Sequence, residues 1–549
     1  MSTTHNSSAP AGDALPAATE GGAAATVESA AAPPKRKGKR GRREKKNNEI
    51  WNWPVIAWAL WDWGSSAMAA IVTTFVFSVY LTSEAFGNVD VSTAQVSAGL
   101  AIAGLIIAIL APINGQQADK AGKGVLLLGF NTFMMILIIV AMFFVNPRGD
   151  YLPDWLMQAM RALPDFILPD DASPTQVMLV LGIILLGLGN IFFEFASVNY
   201  NAMLAAISNE RTIGRVSGLG WGLGYLGGIV LLLLVFVGFI SPEVGWFGVT
   251  PENGQHVRVT MLVSALWFFV FAIPVLFTQS GVGKRRAAKK LLARADLSKA
   301  DLPTTVALVR TAAAETKGKG LFSAYRAVWG TIRMLAKKSP STLLFLGASA
   351  IFRDGLAGVF AFAGIIALGT FGFADGEVIV FGIVANVVAG IATIIFGALD
   401  DKLGPKTVII ISLVSMILSG IGVFLLAGGG KAVFWVLGLI LSIFIGPAQS
   451  ASRTYLARLI PKGREGEIFG LYATTGRAVS FLSPALFYGA IKLAQGILGP
   501  GARVQHYGLL GLILVLFVGL LLLLPVHAVA SPKAARNGKS VSSDVFGEK

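Results

Sequence analysis

Six side chains carry full charge where the surrounding residues are apolar: Asp62, Glu194, Arg353, Asp354, Arg453 and Arg477. An ionisable group at membrane depth costs about 3 kcal/mol or more unless a cavity or an opposite charge receives it. Each is therefore a candidate to touch a solute or to hold a partner. Asp62 shares a helical face with Ser66 and Thr73, and these small hydroxyl neighbours leave room for water or a ligand. Asn190, Glu194, Ser197 and Asn201 recur at i, i+4, i+7 and i+11, as do Ser442, Gly446, Gln449 and Arg453. Such spacing puts a polar stripe on one helix face, the pattern of a cavity wall. Asp62 and Glu194 bring negative charge from the first half of the chain, and Arg353, Arg453 and Arg477 positive charge from the second. That polarity suits a zwitterion. The plain alternative is that Glu194 or Asp354 pairs with an arginine and simply holds helices together. Loss of water favours the protonated form of a carboxylate, so Asp62 and Glu194 are also the candidates to carry a proton. Gln449, Asn190, Asn199, Tyr200, Asn201 and Asn386 offer neutral hydrogen bonds to a ligand, although amides also join helices.

The elements that must position these groups are membrane-spanning helices. Of 549 residues, 54% are hydrophobic and only 14% charged, more apolar surface than a soluble fold can hide. Runs long enough to span read as 55–85, 94–114, 125–145, 176–208, 213–240 and 257–277, then 341–371, 377–399, 407–427, 433–459, 467–494 and 507–526. The expected fold is an all-α membrane protein with twelve transmembrane helices in two six-helix bundles, 49–277 and 341–526. A disordered arm (1–48), a basic connector (278–340) and a tail (527–549) complete the organisation. With no cysteine, disulfides and thiolate sites are excluded. Four histidines without HExxH give no metal signature, and neither a nucleophile elbow nor a phosphate loop is present. No cofactor, metal or enzymatic activity is expected.

The net charge of +15 sits in two places: Lys35–Lys46 is net +8 and Thr278–Pro340 net +11. The rest is net negative, which argues against a nucleic-acid face and for topology signals beside apolar spans. Counted from a cytoplasmic N-terminus, the even-numbered connections return Lys120 and Lys123, Lys402 and Lys406, and Arg458, Lys462 and Arg464 to the basic side. The loop 146–175 on the other side is acidic. Both termini are thereby expected in the cytoplasm, in a cell inner membrane. The basic arm serves either as that orientation signal or as a contact for anionic lipid headgroups. Within the connector, Phe322, Tyr325, Trp329 and Ile332 alternate at helical spacing with Arg326, Arg333 and Lys337, as in a helix lying at the membrane surface.

The two halves repeat a motif after the second apolar run of each: Gly115-Gln-Gln-Ala-Asp119-Lys120-Ala-Gly122-Lys123 and Gly397-Ala-Leu-Asp-Asp401-Lys402-Leu-Gly404-Pro-Lys406. A second pair, GRVSGL from Gly214 and GEIFGL from Gly466, opens the fifth run of each half. Duplicated six-helix halves suit two bundles that rock about a shared midplane site. The G-x-x-x-D-K/R-x-G-K/R pattern resembles the signature loop of the major facilitator superfamily. Trp58–Ala67, Gly214–Gly228, Arg353-Asp354-Gly355, Ser452-Arg453 and Pro461–Tyr472 look like the branch related to fungal vacuolar effluxers, over about Trp53 to Val526. The resemblance implies alternating-access transport of a small-molecule substrate, with amino-acid efflux in the fungal relatives, and the buried acids make protons the expected drive. The chain departs from the pattern at Gln117, and its fifth run lacks a glycine-proline pair, which disfavours drug/proton antiport. Drug efflux remains the alternative within transport, and a receptor or scaffold that does not transport is the alternative of another class. The signature resemblance makes Asp119 and Asp401 a latch, and ahead of the third and ninth runs they are also placed to satisfy the amides there. Glycines 220, 224 and 228, and 218 and 222, form small-residue rows that let helices approach closely. A monomer is expected.

Overall fold

The structure is a computed structural model that describes residues 50–527 apart from 122–123, 150–152, 166, 295–320, 461–462 and 500–503. The N-terminal arm, the middle of the connector, most of the tail, Gly122, Lys123, Lys462 and the side chain of Lys120 lie outside that description.

Among the described residues twelve helices are long and apolar enough to span a membrane. In chain order they are α1 (Trp53–Leu81), α2 (Val91–Asp119), α3 (Gly124–Met142), α4 (Pro174–Ile207), α5 (Ile213–Ile240) and α6 (Glu252–Phe277). The second set is α7 (Pro340–Phe371), α8 (Gly376–Leu403), α9 (Pro405–Leu425), α10 (Gly430–Leu459), α11 (Glu465–Leu498) and α12 (Gln505–Leu523). Local chemistry sets several starts. The Asn52 side chain accepts the Val55 amide ahead of α1, and Ser173 and Gln176 form a capping box at α4 with Pro174 at its first position. Gly404, at φ +88°, allows the abrupt turn from α8 into α9.

Two apolar cores follow from the two halves. One is built around Trp58, Trp61, Met135, Phe268 and their neighbours; the other around Phe345, Phe352, Met416, Tyr455 and Phe469. Ala103, Ile107 and Ala111 of α2 and Ile191 and Val198 of α4 belong to the second core, because these faces of the first half pack on the second. Leu105, Leu126, Leu266 and Leu418 stay exposed, as lipid-facing side chains do.

Three local features depart from the sequence reading. The repeated motif lies on the helices rather than after them: the α2 helix continues to Ala121 and α8 to Leu403, so Asp119 and Asp401 sit in last turns. Span α1 is not uniform, since residues Ala67–Phe75 are wound as a π-helix that ends at Val76 (φ −122°, ψ −67°). Span α11 is two helices, Glu465–Ala478 and Leu482–Leu498, with Arg477 in the last turn before the interruption. Pro484 accounts for the break, because it has no amide hydrogen for the Ser480 carbonyl and its ring crowds the preceding turn.

The connector ends in a helix, Leu321–Lys338, whose exposed Trp329 and Arg333 and buried Val328 and Leu335 give it two faces. Its Tyr325 hydroxyl donates to the Ile109 carbonyl of α2 at 2.6 Å, and its Thr331 hydroxyl to Glu467 of α11 at 2.7 Å.

Candidate functional site

The halves meet in three tiers, counted inward from the end where α2 leads into α3 and α8 into α9, called here the signature end. The outermost tier is a symmetric pair of clasps. Asp119 of α2 accepts the Gly466 and Glu467 amides at the start of α11, at 2.9 and 2.8 Å. Asp401 of α8 accepts the Gly214 and Arg215 amides at the start of α5, at 2.7 and 3.1 Å, and the Arg215 Nε at 2.9 Å. Each carboxylate therefore caps a helix of the opposite half, where unpaired amides and the helix dipole favour negative charge. The helices capped are α11 and α5, not α3 and α9 as the linear sequence suggests.

Glycines make the clasps possible. Gly115 and Gly466 lie backbone against backbone, and a Cβ on Gly470 would come within 2.6 Å of the Ala111 carbonyl. Gly214, Gly218 and Gly222 of α5 oppose Gly397, Thr393 and Gly390 of α8 in the same way. The other row serves contacts inside the first half, where Gly220 makes room for Trp58, Asp62 and Tyr200, and Gly228 lies against Ser66 and Ala70; Gly227, outside both rows, makes room for Trp63. Arg458 braces the α8 clasp through Asp400 at 2.7 Å and Asp401 at 3.6 Å, and Thr454 also donates to Asp400. Lys406, the last motif residue, donates to the carbonyls of Leu524 and Val526 that α12 leaves unpaired. Lys402 is exposed.

The second tier lies about 10 Å further in, at 1.5 Å per residue. Arg453 of α10 crosses to the first half. Its Nη1 donates to Asn201 at 3.0 Å and lies 3.6 Å from Asp62; its Nε and Nη2 donate to the Ser217 hydroxyl and carbonyl at 3.0 and 2.8 Å. Tyr200 donates to Asp62 at 3.0 Å. Its ring is stacked between Trp58 and Trp61 at 4.3 and 4.4 Å, and the Trp58 indole donates to its carbonyl. The acid thus faces a fixed hydroxyl and a fixed guanidinium. Ser217 is the residue the sequence reading missed here; its place in GRVSGL, one turn from the α5 clasp, is the signal that was available.

The third tier is near mid-span, about 20 Å from the signature end by helix rise. Glu194 of α4 and Arg477 of α11 pair at 3.1 Å across the halves, with side chains 19% and 36% exposed. Arg353 of α7 lies over the Tyr472 ring at 3.8 Å. Asp354 points elsewhere: it is buried and accepts the Ser483 amide at 2.7 Å, capping the second segment of α11. Of the remaining expected residues, Ser66, Asn190 and Asn386 donate to carbonyls of their own helices. Asn199 donates to Asn114 at 2.7 Å, while Gln449 is half-buried with no hydrogen bond among the described residues. Six expected residues are therefore brought into cross-half or mid-span contacts (Asp62, Asn201, Arg453, Glu194, Arg477 and Arg353), while Ser66, Asn190, Gln449 and Asp354 are not.

A twelve-helix chain of two similar halves, clasped at one end and pairing charge across the seam, defines a secondary transporter of the major facilitator fold. Solved structures agree on that fold. The proton:xylose symporter XylE matches with a TM-score of 0.56 at 14% identity, covering 87% of this chain and 96% of its own. A bacterial homologue of the iron transporter ferroportin matches with a TM-score of 0.54 at 16% identity, covering 86% and 98%. By sequence the chain is 26% identical over 435 residues to the uncharacterized MFS-type transporter YxiO of Bacillus subtilis, covering 78% of this chain and 86% of YxiO. It is 25% identical over 315 residues to autophagy-related protein 22 of Yarrowia lipolytica, spanning 50% of that protein's length. Residues 48–536 match the family described as vacuole effluxer Atg22 like, and the chain belongs to that family.

Proposed function

We propose that this transporter moves a small polar solute, an amino acid being the first candidate, by alternating access coupled to protons. The observation that carries the reading is that two acids within the spans of the first half pair with arginines of the second, Asp62 with Arg453 and Glu194 with Arg477. Protonating either acid weakens a bond that holds the halves together, so proton occupancy and chamber access are linked. The clasps at the signature end support a state closed there, in which a solute enters from the far end.

We infer the orientation from charge. The signature end carries Arg211, Arg215, Lys402, Lys406, Arg458, Arg464 and the connector's Arg326, Arg333 and Lys337, whereas the far end carries Asp154, Asp165, Asp170 and Asp171. By the positive-inside rule the signature end and both termini face the cytoplasm of a bacterial inner membrane. The test is uptake into proteoliposomes driven by a pH gradient. The wild type is expected to concentrate its solute, and Asp62→Asn to exchange it without concentrating it. Full pH-driven accumulation by Asp62→Asn would remove Asp62 from the coupling.

A further inference from the structure

Arg353 holds a positive charge near mid-span, and among the described residues no acid pairs with it. Its guanidinium covers the Tyr472 ring and its Nη1 donates to the Tyr472 carbonyl at 3.3 Å. Gly476 packs beside it, where a Cβ would lie in ordinary contact at 3.4 Å from Nη1. Among the described residues no carboxylate comes within the 4.0 Å that defines an ion pair, and the Nε and Nη2 edge donates no hydrogen bond. The acids nearby in the fold are already engaged: Glu194 by Arg477, Asp62 by Tyr200 and Arg453, and Asp354 by the Ser483 amide. Arginine at this depth persists where a water-filled cavity, an opposite charge or a backbone carbonyl receives it; Arg353 has one carbonyl for one of its nitrogens and is half-buried rather than enclosed.

We propose that Arg353 anchors a carboxylate of the transported solute, and that the ammonium of an amino acid adds nothing to its recognition. The proposal rests on the transport reading above and names the chemical class its site accepts. The open edge of a guanidinium presents two parallel N–H groups at the spacing of two carboxylate oxygens, while the opposite edge and one face are fixed by Tyr472. Tyr472 is itself pinned, its hydroxyl 2.8 Å from that of Ser452. Glu194 and Asp62 already neutralise arginines and Asp354 caps α11, so no unpaired carboxylate is left among these acids to receive an ammonium. The site is thus built for a monoanion, with a zwitterion accepted through its carboxylate alone.

The test uses the full-length protein in proteoliposomes and two matched triads: serine, 3-hydroxypropanoate and 2-aminoethanol; norleucine, hexanoate and pentylamine. Binding and exchange are both measured. In at least one triad the amino acid and its deaminated acid are expected to bind within about threefold of each other, the amine not at all. Arg353→Gln should weaken both acids about tenfold or more, the loss of a charge-assisted pair. If that variant does not fold, Arg353→Lys carries the test, since it keeps the charge but loses the two-pronged edge and should weaken both acids measurably. Amine binding equal to that of the amino acid, or unchanged affinity in the folded variant, overturns the anchor. Binding lost in Arg353→Gln without exchange by the wild type keeps the anchor and overturns the transport reading. Exchange that Arg353→Gln leaves intact does the reverse, and a wild type that neither binds nor exchanges either triad overturns both.

Discussion

Gly115 of α2 and Gly466 of α11 touch backbone to backbone across the two halves, and neither has space for a Cβ. The contact is rigid on both sides, so Gly115→Ala should keep the signature end from closing at a cost of about 1–3 kcal/mol. Because the chain has no cysteine, Thr393→Cys under the α5–α8 contact gives a clean reporter. Gly115→Ala is expected to speed maleimide labelling of that cysteine about tenfold, a shift of 1.4 kcal/mol. Gly104→Ala on the same helix, with nothing within 4 Å, should leave it unchanged.

The clasps make a second prediction. Asp119→Asn and Asp401→Asn keep the shape of the side chain but remove the charge that meets a helix start, a loss of about 1 kcal/mol each. Each should raise labelling at Thr393→Cys severalfold. The Asp401 variant should have the larger effect, since Asp401 also holds Arg215 and lies 3.6 Å from Arg458. Equal labelling in wild type and both variants would show that the clasps do not hold the closed state.

Asp354 separates stability from solute handling. Removing its carboxylate uncaps the second segment of α11, so Asp354→Ala should destabilise the protein by about 1–2 kcal/mol, read from its unfolding midpoint. Asp354→Asn keeps an oxygen for the Ser483 amide and should recover part of that loss.

The connector helix is also energetically tied to the seam. The Thr331 hydroxyl donates to Glu467 and accepts from Arg464 at 2.8 Å, and Gln116 of α2 donates to the same glutamate at 3.1 Å. Thr331→Val removes the hydroxyl at nearly constant volume and leaves Glu467 short of a donor. A loss of about 1–3 kcal/mol follows for the closed state, visible as faster Thr393→Cys labelling.

The twelve spans were legible because length and apolarity decide a crossing, and the expected ends fall within about five residues of those observed. The duplicated motif and the polar stripes were legible as patterns. Their partners were not. Asp119 and Asp401 were expected ahead of the next helix in sequence, yet the amides they meet belong to residues 466 and 214, brought near only by packing of the halves. The stripes on α4 and α10 gave Glu194 and Arg453 the same standing, while the fold gives one a partner at mid-span and the other three partners, Asp62, Asn201 and Ser217, nearer the signature end. Asp354 looked like an equal of Arg353 beside it, but one helical step of 100° sends it to a helix terminus instead of the open tier. The interruption of α11 hid because Pro484 sits within an otherwise apolar run, where hydropathy alone sees continuity.

The helix Leu321–Lys338 is gripped by both halves at once, its Tyr325 by Ile109 of α2 and its Thr331 by Glu467 of α11. Any swing that parts α2 from α11 must peel this strap from one side. The helix thus adds its own resistance to any parting at the signature end, and freeing it from Glu467 would shorten the life of the closed state without touching the mid-span residues.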